Sequence, residues 1–386
     1  MCDTLVSIWK NNPEKNATYF AKNSDREPDE IQLVEYYPRT IRKGKLKVTY
    51  IDVDFEYETN AILISRPYWM WGAEMGVNEF GVAIGNEAIF TKRKFRKDGL
   101  LGMDLLRIGL EIGKDSKSAL NVIVEYLEKY GQGGSNSFTK KEYYDNSFLI
   151  ADRNEAYVLE IFEKQWRSKK IDKYAAISNI PSNIFLEGNI NNIDYKLNKL
   201  YSYFGKGNLR YKKTNDFLQN FVDRNDILDI MNLMRSHMKK DYSPKLGSNG
   251  DICMHSGYFT RKFQTANSMI LENFENFIIS WFTFSPNPCI SLYKPMFFNL
   301  DAIKINYDKN YWEKNKQLHE KIAKLNPKEY KKAMNLTLEN QMKINQIVND
   351  AKNKILTGNL NLNFEKIYES ILKIDKEHIL SLQSIQ

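Results

Sequence analysis

The sequence predicts an α+β protein in which a strand-rich part precedes a helical C-terminal part. Across residues 31–298, short runs of alternating apolar and polar residues recur between turns marked by Gly, Pro and Asn. Apolar residues in 101–127 instead recur at helical spacing, and three longer helical patterns follow Tyr307. We therefore predict a main domain at 1–305 and a helical extension at 306–386, which packs on it or serves as a contact in a homo-oligomer.

Each predicted element follows from its own local pattern. Runs rich in Val, Ile, Tyr and Phe that end at Gly, Pro, Asn or Asp predict strands. After an N-terminal hairpin, these strands are 31–37, 45–53, 61–65, 81–88, 147–151, 156–162, 165–169, 175–177, 277–284 and 295–298. Apolar stripes at helical spacing predict helices at 101–112 and 116–127. The polar stretch 191–238 and the stretches 311–325, 327–354 and 364–383, rich in Lys, Glu and Asn, are also predicted to be helical.

Composition narrows the class of protein. A length of 386 residues with 42% hydrophobic and 13% aromatic residues is typical of a globular chain with a sizeable core. The formal charge of +8 comes from Lys and Arg spread along the whole chain without a nucleic-acid-binding motif. We therefore predict no nucleic-acid partner.

The three cysteines and the apolar runs bear on location. Cys2, Cys253 and Cys289 are an odd number without paired spacing, which favours a reduced cytoplasmic chain over a disulfide framework. The apolar run 5–9 is too short for a signal peptide, and no run is long enough for a membrane span. The sequence thus predicts a cytoplasmic protein that does not span a membrane.

The first 26 residues predict a hairpin that brings chemically useful groups together. Two β-prone runs flank the polar turn 11–16. A hairpin that folds about the middle of this turn places Cys2 opposite Asp25, with Lys22 and Arg26 close by. A thiol at the start of a strand would then face a carboxylate between two cations.

Removal of Met1 would give Cys2 both a thiol and a free α-amine. A thiol titrates near ~8.5 and an α-amine near ~7.7–8.0, so the α-amine is the better base at neutral pH. Nucleophile and base then belong to one residue. Asp25 would hold the ammonium, and Lys22 would favour the thiolate. From position alone, the alternative is that Cys2 merely follows the start codon and has no role.

An ordered set of motifs resembles the secernin / C69 dipeptidase family from Cys2 to about residue 298. The motifs are Cys2-Asp3-Thr4, Lys22-Asn23-Ser24-Asp25-Arg26, Trp69-Met70-Trp71-Gly72-Ala73-Glu74-Met75-Gly76, Asn78-Glu79-Phe80-Gly81-Val82, Gly85-Asn86-Glu87-Ala88, Leu100-Leu101-Gly102-Met103-Asp104-Leu105, Tyr130-Gly131-Gln132-Gly133-Gly134, Asn146-Ser147-Phe148 and Cys253-Met254-His255. The resemblance implies an N-terminal-nucleophile (Ntn) hydrolase fold, a four-layer αββα sandwich of two antiparallel sheets, here with a helical C-terminal extension. It also implies a cysteine-type dipeptidase with Cys2 as the nucleophile, small peptides as substrates and no cofactor.

The resemblance also implies roles for two asparagines. Asn86 matches the residue whose amide stabilises the developing oxyanion in related Ntn amidases, an effect of about 2.7–4 kcal/mol. Asn179 matches a second active-site Asn of the bile-salt and penicillin amidases. For each, the alternative is an ordinary Asn at the end of a strand. Lys22 stands where those amidases carry Arg, and the stretch 264–269 has no matching Arg, which favours the dipeptidase branch.

Substrate contacts are predicted at five further positions. By the resemblance, Trp71, Gly72 and Ala73 lie at the pocket, although an aromatic stretch of this kind also suits buried packing. Glu87 is a candidate for binding a substrate ammonium. His255 either borders the active site or is a structural histidine.

No metal or cofactor is predicted. The pair Cys253-x-His255 supplies only two ligands, which do not make a zinc site. The four histidines of the chain otherwise form no recognisable ligand spacing.

Three functions stay open at this point. The first is a dipeptidase that acts on small peptides with a free amino group. The second is an N-acyl amide hydrolase of the penicillin or bile-salt acylase type. The third is a non-catalytic secernin-like protein that acts in regulated secretion.

Overall fold

The computed structural model describes residues 1–8, 17–92, 95–182, 198, 203–221, 226–258, 260–298, 305–358 and 362–385. Two antiparallel sheets form its centre. In spatial order, the six-stranded sheet contains β14 (Tyr174–Ile177), β1 (Cys2–Ser7), β2 (Thr18–Arg26), β15 (Gln264–Asn273), β16 (Ile278–Phe282) and β17 (Lys294–Phe298). The seven-stranded sheet contains β13 (Gln165–Ile171), β12 (Ala156–Phe162), β11 (Asp145–Ala151), β10 (Ala83–Ile89), β9 (Met75–Asn78), β8 (Ile62–Pro67) and β3 (Gln32–Tyr37).

Four short strands form two small two-stranded sheets. They pair β4 (Thr40–Arg42) with β7 (Tyr57–Thr59), and β5 (Lys45–Lys47) with β6 (Asp52–Asp54). The sequence predicted a single strand at 45–53. This prediction is wrong, because residues 48–51 turn the chain back so that Leu46 pairs with Val53.

Helices cover the outer face of each sheet. They are α1 (Gly102–Ile112), α2 (Ser116–Tyr130), α3 (Gly207–Phe221), α4 (Ile227–Met234), α5 (Lys309–Ile322), α6 (Pro327–Leu356) and α7 (Phe364–Gln383). Apolar residues of α1 and α2 pack on the seven-stranded sheet, and those of α3, α4, α6 and α7 pack on the six-stranded sheet. The predicted αββα sandwich is confirmed. None of the described helices combines the length and apolar character that crossing a bilayer requires.

The pleat of β1 decides which of its side chains face the other sheet. Leu5 belongs to the apolar cluster under the helices, whereas Val6 belongs to the core between the sheets. Successive side chains of a strand point to opposite faces. Cys2 and Thr4 therefore share the face of Val6 and point toward the seven-stranded sheet, while Asp3 points toward the helices.

The N-terminal hairpin forms as predicted, but its register differs by one residue. Cys2 pairs with Ser24 and Thr4 with Lys22, so the predicted pairing of Cys2 with Asp25 is wrong. The predicted turn 11–16 lies outside the described residues. The shift matters because it puts Cys2 and Lys22 on the same face of the sheet and Asp25 on the other.

The C-terminal helices share an apolar cluster with the six-stranded sheet. Val348 of α6 and Ile371 of α7 pack in the same cluster as Trp281 of β16. Polar contacts also join the C-terminal helices to this sheet; for example, the Lys294 Nζ atom lies 3.5 Å from Asp375 Oδ1, and Trp312 Nε1 donates to the Ala266 carbonyl at 2.9 Å. The division of the chain at residue 305 stays a prediction. Within the predicted helical stretch 191–238, the structure forms α3 and α4, and 191–197, 199–202 and 222–225 lie outside the described residues.

Candidate active site

A pocket opens where β1 begins and β2 ends, and Cys2 lies in its wall. Met1, Asp25, Asn86 and Tyr144 line the same pocket. Cys2 is only 5% exposed, so the pocket gives little access to this residue. The structure thus brings three of the predicted catalytic residues to one place.

Asp25 holds the start of the chain through its backbone and leaves one carboxylate oxygen unused. Its main-chain N–H donates to the Cys2 Sγ atom at 3.4 Å, and its carbonyl accepts from the Met1 ammonium at 2.9 Å. Asp25 Oδ1 accepts from the Thr265 hydroxyl at 2.6 Å. Asp25 Oδ2 is buried and has no hydrogen-bond partner among the described residues. Burial raises the pKa of the Asp25 carboxyl to about 6, and the N-terminal ammonium acts in the opposite direction.

Lys22 is fully buried between two glutamates on the face of Cys2. Its Nζ atom lies 3.8 Å from Glu74 Oε2 and 3.7 Å from Glu87 Oε1. Burial alone would lower the pKa of Lys22, but the nearby Cys2, Glu87 and Glu74 raise it. Gly85 makes room for this side chain, because a Cβ atom there would lie 2.6 Å from Lys22 Cδ. The lysine is therefore a fixed positive charge beside the thiol.

Asn179 binds the main chain of Cys2. The Cys2 N–H donates to Asn179 Oδ1 at 2.8 Å, and Asn179 Nδ2 donates to the Ala88 carbonyl at 3.1 Å. The same Oδ1 accepts from Arg210 Nη2 at 2.6 Å, while Arg210 Nε donates to Asp3 Oδ2 at 2.8 Å. Sequence reasoning missed Arg210, which lies on α3 and carries no local motif. The guanidinium thus fixes the Asn179 side chain that meets the nitrogen of Cys2.

Asn86 is held by a chain of side-chain amides that begins at a carboxylate. The main-chain N–H of Glu163 donates to Asp145 Oδ1 at 3.2 Å, so this oxygen is an acceptor and takes the amide N–H of Gln132 at 2.6 Å. Gln132 Oε1 then accepts from Asn146 Nδ2 at 2.9 Å, and Asn146 Oδ1 accepts from Asn86 Nδ2 at 3.1 Å. Asn86 Nδ2 also lies 3.3 Å from Met103 Sδ. This chain decides which end of the Asn86 amide is the donor.

The Cys2 thiol is not activated while Met1 is attached. Burial raises the pKa of the Cys2 thiol to about 12, and the Lys22 ammonium opposes this change. The Cys2 nitrogen is then a peptide N–H, which cannot accept a proton. Met1 itself is only 8% exposed and occupies part of the pocket.

The five residues predicted to bind substrate lie elsewhere. Glu87 is buried between the sheets, where its Oε1 atom accepts from the Thr4 hydroxyl at 2.5 Å. Trp71 stacks on the guanidinium of Arg107, with 4.3 Å between the guanidinium carbon and the ring centre. Gly72 lies against the backbone of α1, and Ala73 lies in the core beside the same helix. His255 lies next to two cysteines. Their roles in substrate binding stay predictions, and none of the five lines the Cys2 pocket.

Comparison with known proteins identifies the fold. No family model matches the chain. The structure is similar to a mutant of the conjugated bile acid hydrolase from Clostridium perfringens, with a TM-score of 0.51, 12% sequence identity and coverage of 80% of this chain and 98% of that chain. Another variant of the same hydrolase has a TM-score of 0.50, 11% identity and coverage of 78% and 93%. The chain therefore has the fold of the Ntn hydrolases.

Proposed function

We propose that the chain is a cysteine-type Ntn hydrolase that cleaves amide bonds of small peptides, as a dipeptidase of secernin / C69 type. The observation that carries the proposal is the position of Cys2 at the head of β1, in a pocket shared with Asp25 and Asn86. Asn179 holds the Cys2 nitrogen, and Lys22 supplies a positive charge beside the sulfur. These four groups surround one thiol.

The proposed reaction begins once Met1 is removed. The freed α-amine of Cys2 takes the proton of the thiol, and the sulfur attacks the carbonyl carbon of the scissile amide. Asn86 donates to the resulting oxyanion the Nδ2 hydrogen that otherwise meets only the weak acceptor Met103 Sδ. The C–N bond then breaks as the ammonium returns the proton to the leaving amine. Water attacks the thioester with the amine as base, and this step restores the thiol.

The unused oxygen of Asp25 supports the same proposal. An unpartnered carboxylate oxygen in a buried site is costly, so it favours a partner that the trimmed chain would supply. The Cys2 α-amine is that partner once it carries a proton. In the chain that retains Met1, the terminal ammonium donates to the main-chain carbonyl of Asp25 and not to its carboxylate.

The charge of the pocket favours a substrate with a free amino group. Glu27, Glu30, Glu74 and Glu142 line the pocket together with the single guanidinium of Arg26. That guanidinium is already paired with Glu30 at 2.7 Å and with Glu74 at 3.1 Å. Lys22 lies 3.8 Å from Glu74 and Lys140 lies 3.4 Å from Glu27, so five lining carboxylates, Asp25 included, face three side-chain cations. The remaining surplus of carboxylates attracts an ammonium and disfavours a further negative charge. A dipeptide with a free α-amine fits this field.

An N-acyl amide hydrolase is the second candidate, and a neighbouring cavity supports it. Phe90, Phe204 and Phe263 line a largely apolar cavity that also contacts the Met1 side chain. An apolar acyl group would fit the space that Met1 leaves. The two candidates therefore differ in whether an ammonium or an acyl group lies next to the scissile bond.

A substrate panel on the trimmed protein tests the proposal. We expect turnover of dipeptides with a free amino group, loss of that turnover in Cys2→Ala, and little turnover of the N-acetylated dipeptides. Glu142→Gln removes one rim carboxylate and should raise KM for free dipeptides without affecting acylated substrates. Preference for acylated substrates would favour the second candidate, and full activity of Cys2→Ala would exclude both.

A further inference from the structure

Four side chains that the amide chemistry does not use meet at one place in the fold. They are His237, Cys253, His255 and Cys289, and one nitrogen or sulfur atom of each lies within 4.8 Å of the others. Three of the four residues are fully buried. Sequence reasoning saw only the pair Cys253 and His255, because His237 and Cys289 are distant in the chain.

The two separations between His255 and the cysteines fit tetrahedral coordination of one ion. His255 Nε2 lies 3.5 Å from Cys253 Sγ and 3.3 Å from Cys289 Sγ. A tetrahedral zinc with Zn–S bonds of about 2.3 Å and Zn–N bonds of about 2.0–2.1 Å puts neighbouring ligand atoms about 3.3–3.8 Å apart. His255 is thus already at ligand spacing from both cysteines, and the remaining ligand atoms lie within 4.8 Å of one another.

The donor set specifies the kind of ion. Two thiolates and two imidazoles in a tetrahedral arrangement are typical of zinc. The two thiolate charges cancel the charge of Zn²⁺, which makes burial of the ion acceptable in an apolar surrounding. Cys253 and Cys289 belong to an apolar cluster that includes Ile290, Leu318 and Ile322. A site with four protein ligands leaves no position for substrate, so its role is structural.

Neighbouring groups hold the ligands in place. The ring of His237 stacks on the ring of Tyr242, with 3.4 Å between centres and 6° between planes. The Cys253 N–H donates to the Ser236 carbonyl at 3.1 Å, which joins the segment that carries His237 to the segment that carries Cys253. The Tyr330 hydroxyl lies 3.1 Å from Cys289 Sγ and can donate to a thiolate. Such outer contacts orient metal ligands.

We propose that His237, Cys253, His255 and Cys289 bind one structural Zn²⁺ ion. The ion joins the segment after α4, the segment before β15 and the short 3-10 turn Pro288–Ile290, with Tyr330 of α6 against it. Met254, between two of the ligands, exchanges hydrogen bonds with Thr265, whose hydroxyl binds Asp25. The zinc site therefore also supports the strand that holds Asp25. This inference does not depend on the proposed amide hydrolysis.

Metal analysis of the full-length chain tests the proposal directly. The protein is purified in reducing buffer from cells supplied with zinc, and its metal is measured by elemental analysis and by native mass spectrometry. We expect one zinc per chain, bound with loss of two thiol protons. Cys253→Ser and Cys289→Ser should each lose this zinc, while the matched controls Cys2→Ala and His378→Gln should retain it.

Cobalt exchange keeps the proposal testable if the ligand variants fail to fold. The wild-type protein should take up Co²⁺ and develop the absorption of a tetrahedral thiolate-bound cobalt. A folded wild-type chain that holds no zinc and gives no such absorption would overturn the site. Zinc retained in both cysteine variants, or a Cys253–Cys289 disulfide in the purified protein, would do the same.

Discussion

The buried carboxylate of Glu87 should make stability fall as pH rises. Glu87 is fully buried, with Oε1 bonded to Thr4 and Oε2 without a hydrogen-bond partner in the described part of the chain. Burial raises the pKa of Glu87 from 4.5 to about 8, although the Lys22 ammonium opposes this change. The folded protein therefore keeps a proton that the unfolded chain releases near pH 4.5. The stabilisation of the folded state by this bound proton is complete below pH 4.5 and is lost as pH rises through about 8.

Glu87→Gln isolates this effect because it keeps the size of the side chain and removes its ionisation. A difference of one unit between the folded and unfolded pKa corresponds to about 1.4 kcal/mol, so the free energy of unfolding changes by about 5 kcal/mol at most between these two pKa values. Relative to wild type, the free energy of unfolding of the variant should increase between about pH 5 and about pH 8, by up to about 1.4 kcal/mol per unit.

Urea denaturation followed by circular dichroism at several pH values measures this difference. Glu275→Gln is the matched control, because it removes a carboxylate from the surface, where the Glu275 side chain is 65% exposed. We expect the control to show no comparable trend. A difference between Glu87→Gln and wild type that does not change with pH, or that decreases as pH rises, would refute the argument.

Three further variants, one of them also tested with a second substitution, probe other parts of the site. Asn86→Ala should lower kcat for dipeptides about 10²–10³-fold, and unchanged turnover would exclude Asn86 as an oxyanion donor. Arg210→Met leaves the buried Asp3 carboxylate without its guanidinium and should lower the free energy of unfolding by about 3–5 kcal/mol in urea denaturation. Adding Asp3→Asn should restore part of this loss, and no recovery would contradict the pairing. Gly85→Ala places a Cβ atom against Lys22 and should cost about 1–3 kcal/mol; a thermal midpoint equal to wild type would contradict the close contact.

Elements with a strong local pattern were predictable from the sequence. The helix 364–383 was predicted with the bounds that α7 has, because Asn363 caps it and an apolar stripe runs along it. The strands 156–162 and 165–169 also lie where β12 and β13 form. Local patterns are sufficient where one face of an element is buried along its whole length.

The register of the N-terminal hairpin could not be read from the sequence. Cys2 pairs with Ser24, one residue away from the prediction, and each strand offers plausible partners in both registers. Contacts with the second sheet select between them: Thr4 and Lys22 both reach Glu87 only when they share a face. Because contacts with the other sheet decide the register, the sequence of the hairpin alone does not indicate it.

Polar contacts between residues that are far apart in the chain could not be predicted from local patterns either. Arg210 bonds to Asp3 from 207 residues away. The cluster of His237, Cys253, His255 and Cys289 spans three segments and lacks the ligand spacing of known zinc motifs. By contrast, Cys2 and Asp25 were accessible because they lie in one hairpin. Proximity in the chain thus made Cys2 and Asp25 predictable, whereas Asn86 and Asn179 were predicted only through the resemblance to a known family.

Mass spectrometry of the protein during turnover tests the central claim most directly. The protein is quenched with acid while it hydrolyses a dipeptide, and the N-terminal proteolytic fragment is weighed. The account predicts a fragment that begins at Cys2, lacks Met1 and carries the acyl part of the substrate. Turnover by protein that retains Met1, or an acyl group found only on another residue, would contradict it.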